Sequence, residues 1–151
     1  MRSVLMALVV LCLGFSAADA AGKKCYRKSE AEADQAIRYT TQVMVMSDTC
    51  RDETYGRFAL RNRTELLDYQ HALMEHFRRS DGKRAQATLD SFMTRIANEK
   101  ALETSTQNIN SVCSVAVDFL ATADKLTGED FRKYVERQTV DRHGDYEMCK
   151  N

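Results

Sequence analysis

The chain contains no proline and six glycines in 151 residues, with Gly14 near the N-terminus and Gly22 shortly after it. Long stretches of mixed polar and apolar residues with so few breakers read as helices. No alternating apolar–polar run is bounded by turn residues, which argues against a β architecture, and no internal repeat points to a solenoid. Neither charge is in excess: 22 basic and 22 acidic residues give a formal net charge of zero. Generic nucleic-acid binding relies on surplus Lys and Arg to neutralise phosphates, so the balance argues against it. A Cys-x-x-Cys pair is missing, which excludes a thioredoxin-type redox motif and a c-type haem attachment site. Gly-x-Ser-x-Gly, His-Glu-x-x-His and a Gly-rich phosphate loop are missing too, so no enzymatic constellation is expected.

Hydrophobic runs are confined to the beginning. Arg2 supplies a positive n-region, Val4 to Phe15 an apolar h-region, and Ala18-Asp19-Ala20 a small-x-small cleavage site. The apolar run falls short of the about 20 residues a bilayer-spanning helix needs. Residues 1–20 therefore read as a cleaved signal peptide and 21–151 as a single exported domain, periplasmic or secreted, with no transmembrane segment after cleavage. Losing Arg2 and Asp19 keeps the formal charge at zero.

Of five cysteines, Cys12 lies in the signal, which leaves Cys25, Cys50, Cys113 and Cys149. An even set in an exported chain reads as structural disulfides, and the spacings match no zinc signature.

Periodicity predicts a first helix over 29–48, capped by Ser29 with Glu30, Glu32 and Asp34 in its first turns. Ala33, Ile37, Thr40 or Thr41 and Met44 form its inward stripe. A second helix over 53–78 buries Tyr55, Phe58, Ala59, Leu66, Tyr69, Leu73 and Phe77. "RRSDGKR" is a turn. A third helix, reaching Glu103, turns Ala85, Leu89, Phe92, Ile96 and Leu102 inward, and "ETSTQN" breaks it. A fourth, over 107–125, carries Ile109, Val112, Cys113, Ala116, Phe119, Leu120 and Ala123. Thr127 and Asp130 open a short fifth helix in a capping-box-like arrangement, with Leu126 stapled to Phe131 and with Tyr134 and Val135 buried. The last ten residues read as irregular.

Long helices on short links fold most simply into an all-α antiparallel four-helix bundle with a short fifth helix. If the first helix runs up, Cys50 ends it at the top, and the fourth helix starts there with Cys113. Cys50–Cys113 and Cys25–Cys149 are the resulting pairs.

Met44 and Met46, two residues apart in a helix, diverge by about 200° and cannot share a soft metal. They read as gap filler. His71 and His76 diverge as well; His71 and Glu75 share a face but make half a metal site, so this stretch reads as a solvated helix face. No metal or cofactor site is expected. "NRT" at Asn62–Thr64 is formally a glycosylation sequon, but its mid-helix position reads as a chance match. The strongest charge feature is Arg78, Arg79, Lys83 and Arg84, which the bundle sets beside Lys23, Lys24, Arg27 and Lys28, with Asp81, Glu30, Glu32 and Asp34 diluting the field. These four residues are the candidate contact for an anionic partner. Changing all four to glutamine is expected to leave the fold intact, because none belongs to the apolar stripe.

"AIRYTTQVMVMSDTC", followed by a long amphipathic helix and a later helix with one cysteine, resembles small exported all-helical bacterial proteins of unknown function. The resemblance implies a periplasmic setting and no activity. Plant invertase and pectin methylesterase inhibitors share the size and the bundle, but their closely spaced first cysteine pair is not matched by Cys25 and Cys50. The expectation is a non-enzymatic interaction module whose partner is an unknown protein or an anionic envelope component. The alternative is a small-ligand or metal carrier with its cargo between helices.

Overall fold

A computed structural model describes residues 25–150. The signal segment 1–20, with Cys12, and the basic residues Lys23 and Lys24 lie outside the described residues. The helices are α1 (Lys28–Cys50), α2 (Thr54–Arg61), α3 (Arg63–Asp81), α4 (Ala85–Ser105), α5 (Ile109–Lys125) and α6 (Gly128–Asp141). Short 3-10 turns span Gly82–Arg84 and His143–Asp145. Because α2 and α3 make one rod interrupted at a single residue, the architecture is the expected bundle: four long antiparallel rods and the shorter α6.

The first helix is the axis, in contact with every other helix. Ala31, Ala33 and Ala36 are fully buried, and their small side chains let neighbours approach closely from several sides. Its start departs from expectation. Arg27 rather than Ser29 occupies the N-cap, and Glu30 reaches back to accept the Arg27 N–H at 2.8 Å. Its end is set by Arg51 in the left-handed region (φ 52°), where Asp52 N–H closes on Ser47 O at 2.8 Å.

The rod expected over 53–78 is broken at Asn62, which is fully buried. Its amide donates to Phe58 O (3.0 Å) and Leu126 O (3.0 Å), and its carbonyl accepts from Gly128 N–H (2.8 Å). Asn62 therefore ties α2 and α3 to the α5–α6 link. It also does what the expected Thr127 box was to do, since Thr127 makes no side-chain cap and Asn62 satisfies the first N–H of α6. With both ends of its amide engaged inside the protein, the Asn62 sequon is closed to a glycan.

The core is aromatic at its centre. Phe58 and Phe131, both 0% exposed, meet edge to face at 5.0 Å, and Tyr69 and Tyr39 extend the cluster. Burying each phenylalanine stabilises the fold by roughly 1.5–3 kcal/mol. Leu102 (64% exposed) and Ile109 (57% exposed) do not join it. Each lies at the α4–α5 end of the bundle, where helix termini splay and leave open grooves.

Two disulfides close the ends: Cys50–Cys113 with Cα atoms 5.5 Å apart, and Cys25–Cys149 at 4.9 Å. They point to an oxidising compartment. The tail is more ordered than its composition suggests, because Tyr26 N–H donates to Glu147 O (2.8 Å) and Cys149 N–H to Tyr26 O (2.9 Å). Among the described residues no helix is long and apolar enough to cross a membrane.

Candidate functional site

At the Cys25–Cys149 end, α1 and α3 enclose a polar cluster that the apolar stripes do not announce. Glu30 and Asp34, one turn apart on α1, are each 2% exposed, and His76 from α3 is 4% exposed. Buried carboxylates require partners, and both have them. Arg79 grips Glu30 through Nε (3.2 Å to Oε1) and Nη2 (to Oε2), and the same Nη2 reaches Cys25 O at 3.1 Å. Asp34 accepts from Arg38 Nε and, at 3.1 Å, from the Tyr146 hydroxyl, which itself accepts from Gln35. Tyr26 lies flat on His76, with ring centroids 3.9 Å apart and 17° between planes. His76 Nδ1 stands 3.5 Å from Glu30 Oε2 and forms no hydrogen bond. Burial holds the His76 pKa below its ordinary value, outweighing the attraction of Glu30. Burial, and next the charge of Asp34, push the Tyr26 phenol up.

The cluster runs into a cleft of about 390 Å³ between α1, α4, α5 and α6. On α1, Gln35, Arg38 and Gln42 recur at helical spacing and form one polar wall. Lys100 of α4 and Arg142 at the end of α6 bring two more cations, while Tyr39, Phe119 and Tyr134 supply an aromatic floor. Two of the cations are already held: Arg38 by Asp34, and Lys100 by Glu103 at 2.8 Å. Arg142 has no ion pair among the described residues. Tyr39 lines the cleft and is 9% exposed, but its hydroxyl oxygen is itself buried and has no hydrogen-bond partner. Its pKa is driven up by burial, and further by Tyr134, so it remains a proton donor.

A larger groove of about 700 Å³ opens at the opposite end, between the close of α1, the start of α2 and the α4–α5 link. Met44, Val45, Tyr55 and Ile109 give it apolar surface, and Asp48 and Asp52 an acidic rim.

The residues singled out in the sequence are dispersed. Arg78 pairs with Glu75 on the surface, and the Lys83 and Arg84 side chains are exposed on the 3-10 turn. Arg79 points inward to Glu30 and is a structural residue, so the expectation that all four could become glutamine without harm to the fold is corrected. His76 is likewise not on a solvated face, because Tyr26 and the N-terminal segment cover it. His71 is exposed, and Glu75 is held by Arg78. Met46 packs against the core while Met44 lines the large groove. Among the described residues, no group of three or more His, Cys, Asp and Glu side chains is placed to hold a metal ion.

The cleft itself was not singled out from sequence. Its signal was the Gln35–Arg38–Gln42 stripe on the helix whose three alanines are all buried, a polar face on a rod surrounded by partners. Comparison with protein-family models, with curated proteins and with solved structures finds no match.

Proposed function

We propose that the protein is an exported, non-enzymatic binding protein, periplasmic or secreted, that captures a small polar molecule between its helices. The observation that carries this reading is the α1/α4/α6 cleft, a recess of about 390 Å³ lined by Tyr39, Phe119 and Tyr134 together with Arg38, Lys100 and Arg142. That volume lies in the range of small-molecule sites, which combine an apolar floor with a few placed polar groups. Guanidinium, amide and phenol groups line it together with Lys100, Glu99 and Glu103, and these last three are engaged in ion pairs, Lys100 with Glu103 and Glu99 with Arg95. Both disulfides hold the frame, and the Cys149 bridge anchors the segment that follows Arg142. Native mass spectrometry of the oxidised chain after incubation in protein-free envelope extract tests the reading. A retained small molecule, lost from the Lys100→Gln/Arg142→Gln variant, is the expected result; no retained mass counts against it.

The groove at the Cys50–Cys113 end favours a second reading, an interaction module for a protein partner. Exposed Ile109 there, with Leu102 and Val115 (73% exposed) on the same α4–α5 side, offers apolar surface for a partner. In that reading Ile109→Glu abolishes capture of the partner from envelope extract, while Arg142→Gln leaves it unchanged. The basic turn supports an anionic envelope partner less well, since Arg79 is spent on Glu30 and Arg78 on Glu75.

A further inference from the structure

The interaction-module reading leaves the partner's chemistry open, and the groove at the Cys50–Cys113 end narrows it. Resting on that reading, we propose that the groove receives a basic amphipathic segment of a protein partner, whose apolar side chains lie on Val45, Tyr55 and Ile109 and whose Lys or Arg meets Asp48 and Asp52.

Packing sets the shape. α4 and α5 make few contacts with each other and pack instead on α1. The seam between them is therefore open, and the half-buried Met44, Val45 and Met46 of α1 form its floor. The large groove shares Val45, Thr104 and Gln107 with a recess of about 190 Å³ that adds Val112 and Val115. Together they make one elongated channel, with exposed Ile109 and Val115 on its α5 side. Apolar anchors along a channel with charges at its rim are how amphipathic segments are recognised.

The side chains set the sign. The groove's lining contains two carboxylates, Asp48 and Asp52, and no Lys or Arg. The adjoining recess adds Lys100 and Glu103, which pair with each other at 2.8 Å. Both aspartates are exposed, and among the described residues neither has an ion pair. Thr54 N–H donates to Asp52 Oδ1 at 2.7 Å, and hydrogen bonding from Thr54 holds that carboxyl below its usual range, so it stays charged. Of the nearby cations, Arg57 is held by Asp124 at 3.1 Å, and exposed Arg51 is offset by exposed Glu53. Helix ends of both signs meet here, the C-termini of α1 and α4 and the N-termini of α2 and α5, so their dipoles largely offset. The surplus is the acidic rim. It attracts a cationic peptide and repels phosphate, which argues against a lipid surface or a nucleic acid.

Fluorescence anisotropy of the oxidised chain with a labelled Leu/Lys amphipathic peptide of about 14 residues, about 21 Å long as a helix, tests the assignment. Saturable binding is expected, with amide NMR shifts centred on Val45, Gly56, Ser105 and Ile109. Asp48→Asn/Asp52→Asn keeps the acceptor for Thr54 and should weaken binding about tenfold at low salt, and less at high salt. Ile109→Ser should weaken it about fivefold. Asp130→Asn/Asp141→Asn, which removes two exposed carboxylates from α6, should leave affinity within about twofold. No saturable binding, shifts centred elsewhere, or a Leu/Glu peptide or spermine binding as tightly would each overturn the assignment. Unchanged affinity in Asp48→Asn/Asp52→Asn, or an equal loss in the α6 control, would overturn it too. If Ile109→Glu still loses capture from envelope extract, only the partner class falls; if capture persists, the interaction-module reading falls with it.

Discussion

Substituting Arg79 by glutamine removes the one guanidinium that holds a carboxylate 2% exposed to solvent. Glu30 keeps the Arg27 N–H at 2.8 Å and the imidazole of His76 at 3.5 Å, neither of which supplies a permanent positive charge. An uncompensated buried charge of this kind destabilises a fold by about 3–5 kcal/mol. Arg78→Gln is the control, one residue away. It breaks a pair whose side chains are 62% and 56% exposed, and such pairs contribute roughly 0.2–1 kcal/mol. Against a total stability of about 5–15 kcal/mol, Arg79→Gln should lower Tm by roughly 10–18 °C and Arg78→Gln by less than about 4 °C. Glu30→Gln combined with Arg79→Gln should recover part of the loss, because a neutral amide is cheaper to bury than an unpaired carboxylate. Thermal denaturation of the oxidised protein, followed by helical circular dichroism, gives the Tm shifts of all three variants, and urea denaturation gives their free energies. If Arg79→Gln and Arg78→Gln fall within about 1 kcal/mol of each other, Arg79 is a surface cation after all.

Other perturbations follow from the same geometry. The His76 pKa is depressed below 6.5 by burial, so the unfolded chain takes up the proton first. Stability is therefore full above pH 6.5 and lost as pH falls through the folded value, and His76→Gln should flatten urea midpoints in that window. Asn62→Ala strips three hydrogen bonds from a residue with no exposure and orphans Gly128 N–H and Leu126 O. A loss of about 2–4 kcal/mol is expected, with faster amide exchange at the start of α6. Arg51→Gly relieves a non-glycine residue at φ 52° and should raise stability by about 0.5–1 kcal/mol, checked by the thermal midpoint. Replacing Cys50 and Cys113 by alanine opens a loop of sequence separation 63 and should cost roughly 4 kcal/mol in the chain-entropy account, visible as a lower urea midpoint.

Much of the fold was legible because it rests on periodicity. Tyr69, Leu73 and Phe77 repeat at four-residue steps, Phe58 lies eleven residues before Tyr69 on the same face, and all are buried. Pairing the cysteines needed only helix directions, since α1 ends where α5 begins. What escaped has one physical source: a polar residue on a helix reads as solvated until its partners in space are known. Glu30 and Asp34 look like first-turn acids placed for the helix dipole, and their acidity does suit that position. In the folded chain the tail and α3 close over them, so they become buried anchors. Asn62 looks like an ordinary helix residue, and nothing local reveals that the α5–α6 link, more than sixty positions away, comes to rest on its amide.

The same logic explains why the basic turn and the cleft exchange places as candidates. A run such as Arg78, Arg79, Lys83 and Arg84 is conspicuous in one dimension, but its field depends on what each cation is already holding. Arg79 is committed to Glu30 and Arg78 to Glu75, which leaves the turn two exposed side chains on a solvated loop. Arg38, Lys100 and Arg142 are scattered over a hundred residues and form no motif. Packing α4 and α6 beside α1 gathers them around a phenol that has no partner. Arg38 and Lys100 are half-buried there, so their charges act through a lower effective dielectric than those on an open turn, while Arg142 stays exposed. In the proposed reading, recognition is a property of the bundle's packing, and α1, which contacts every other helix, is the element on which it is built.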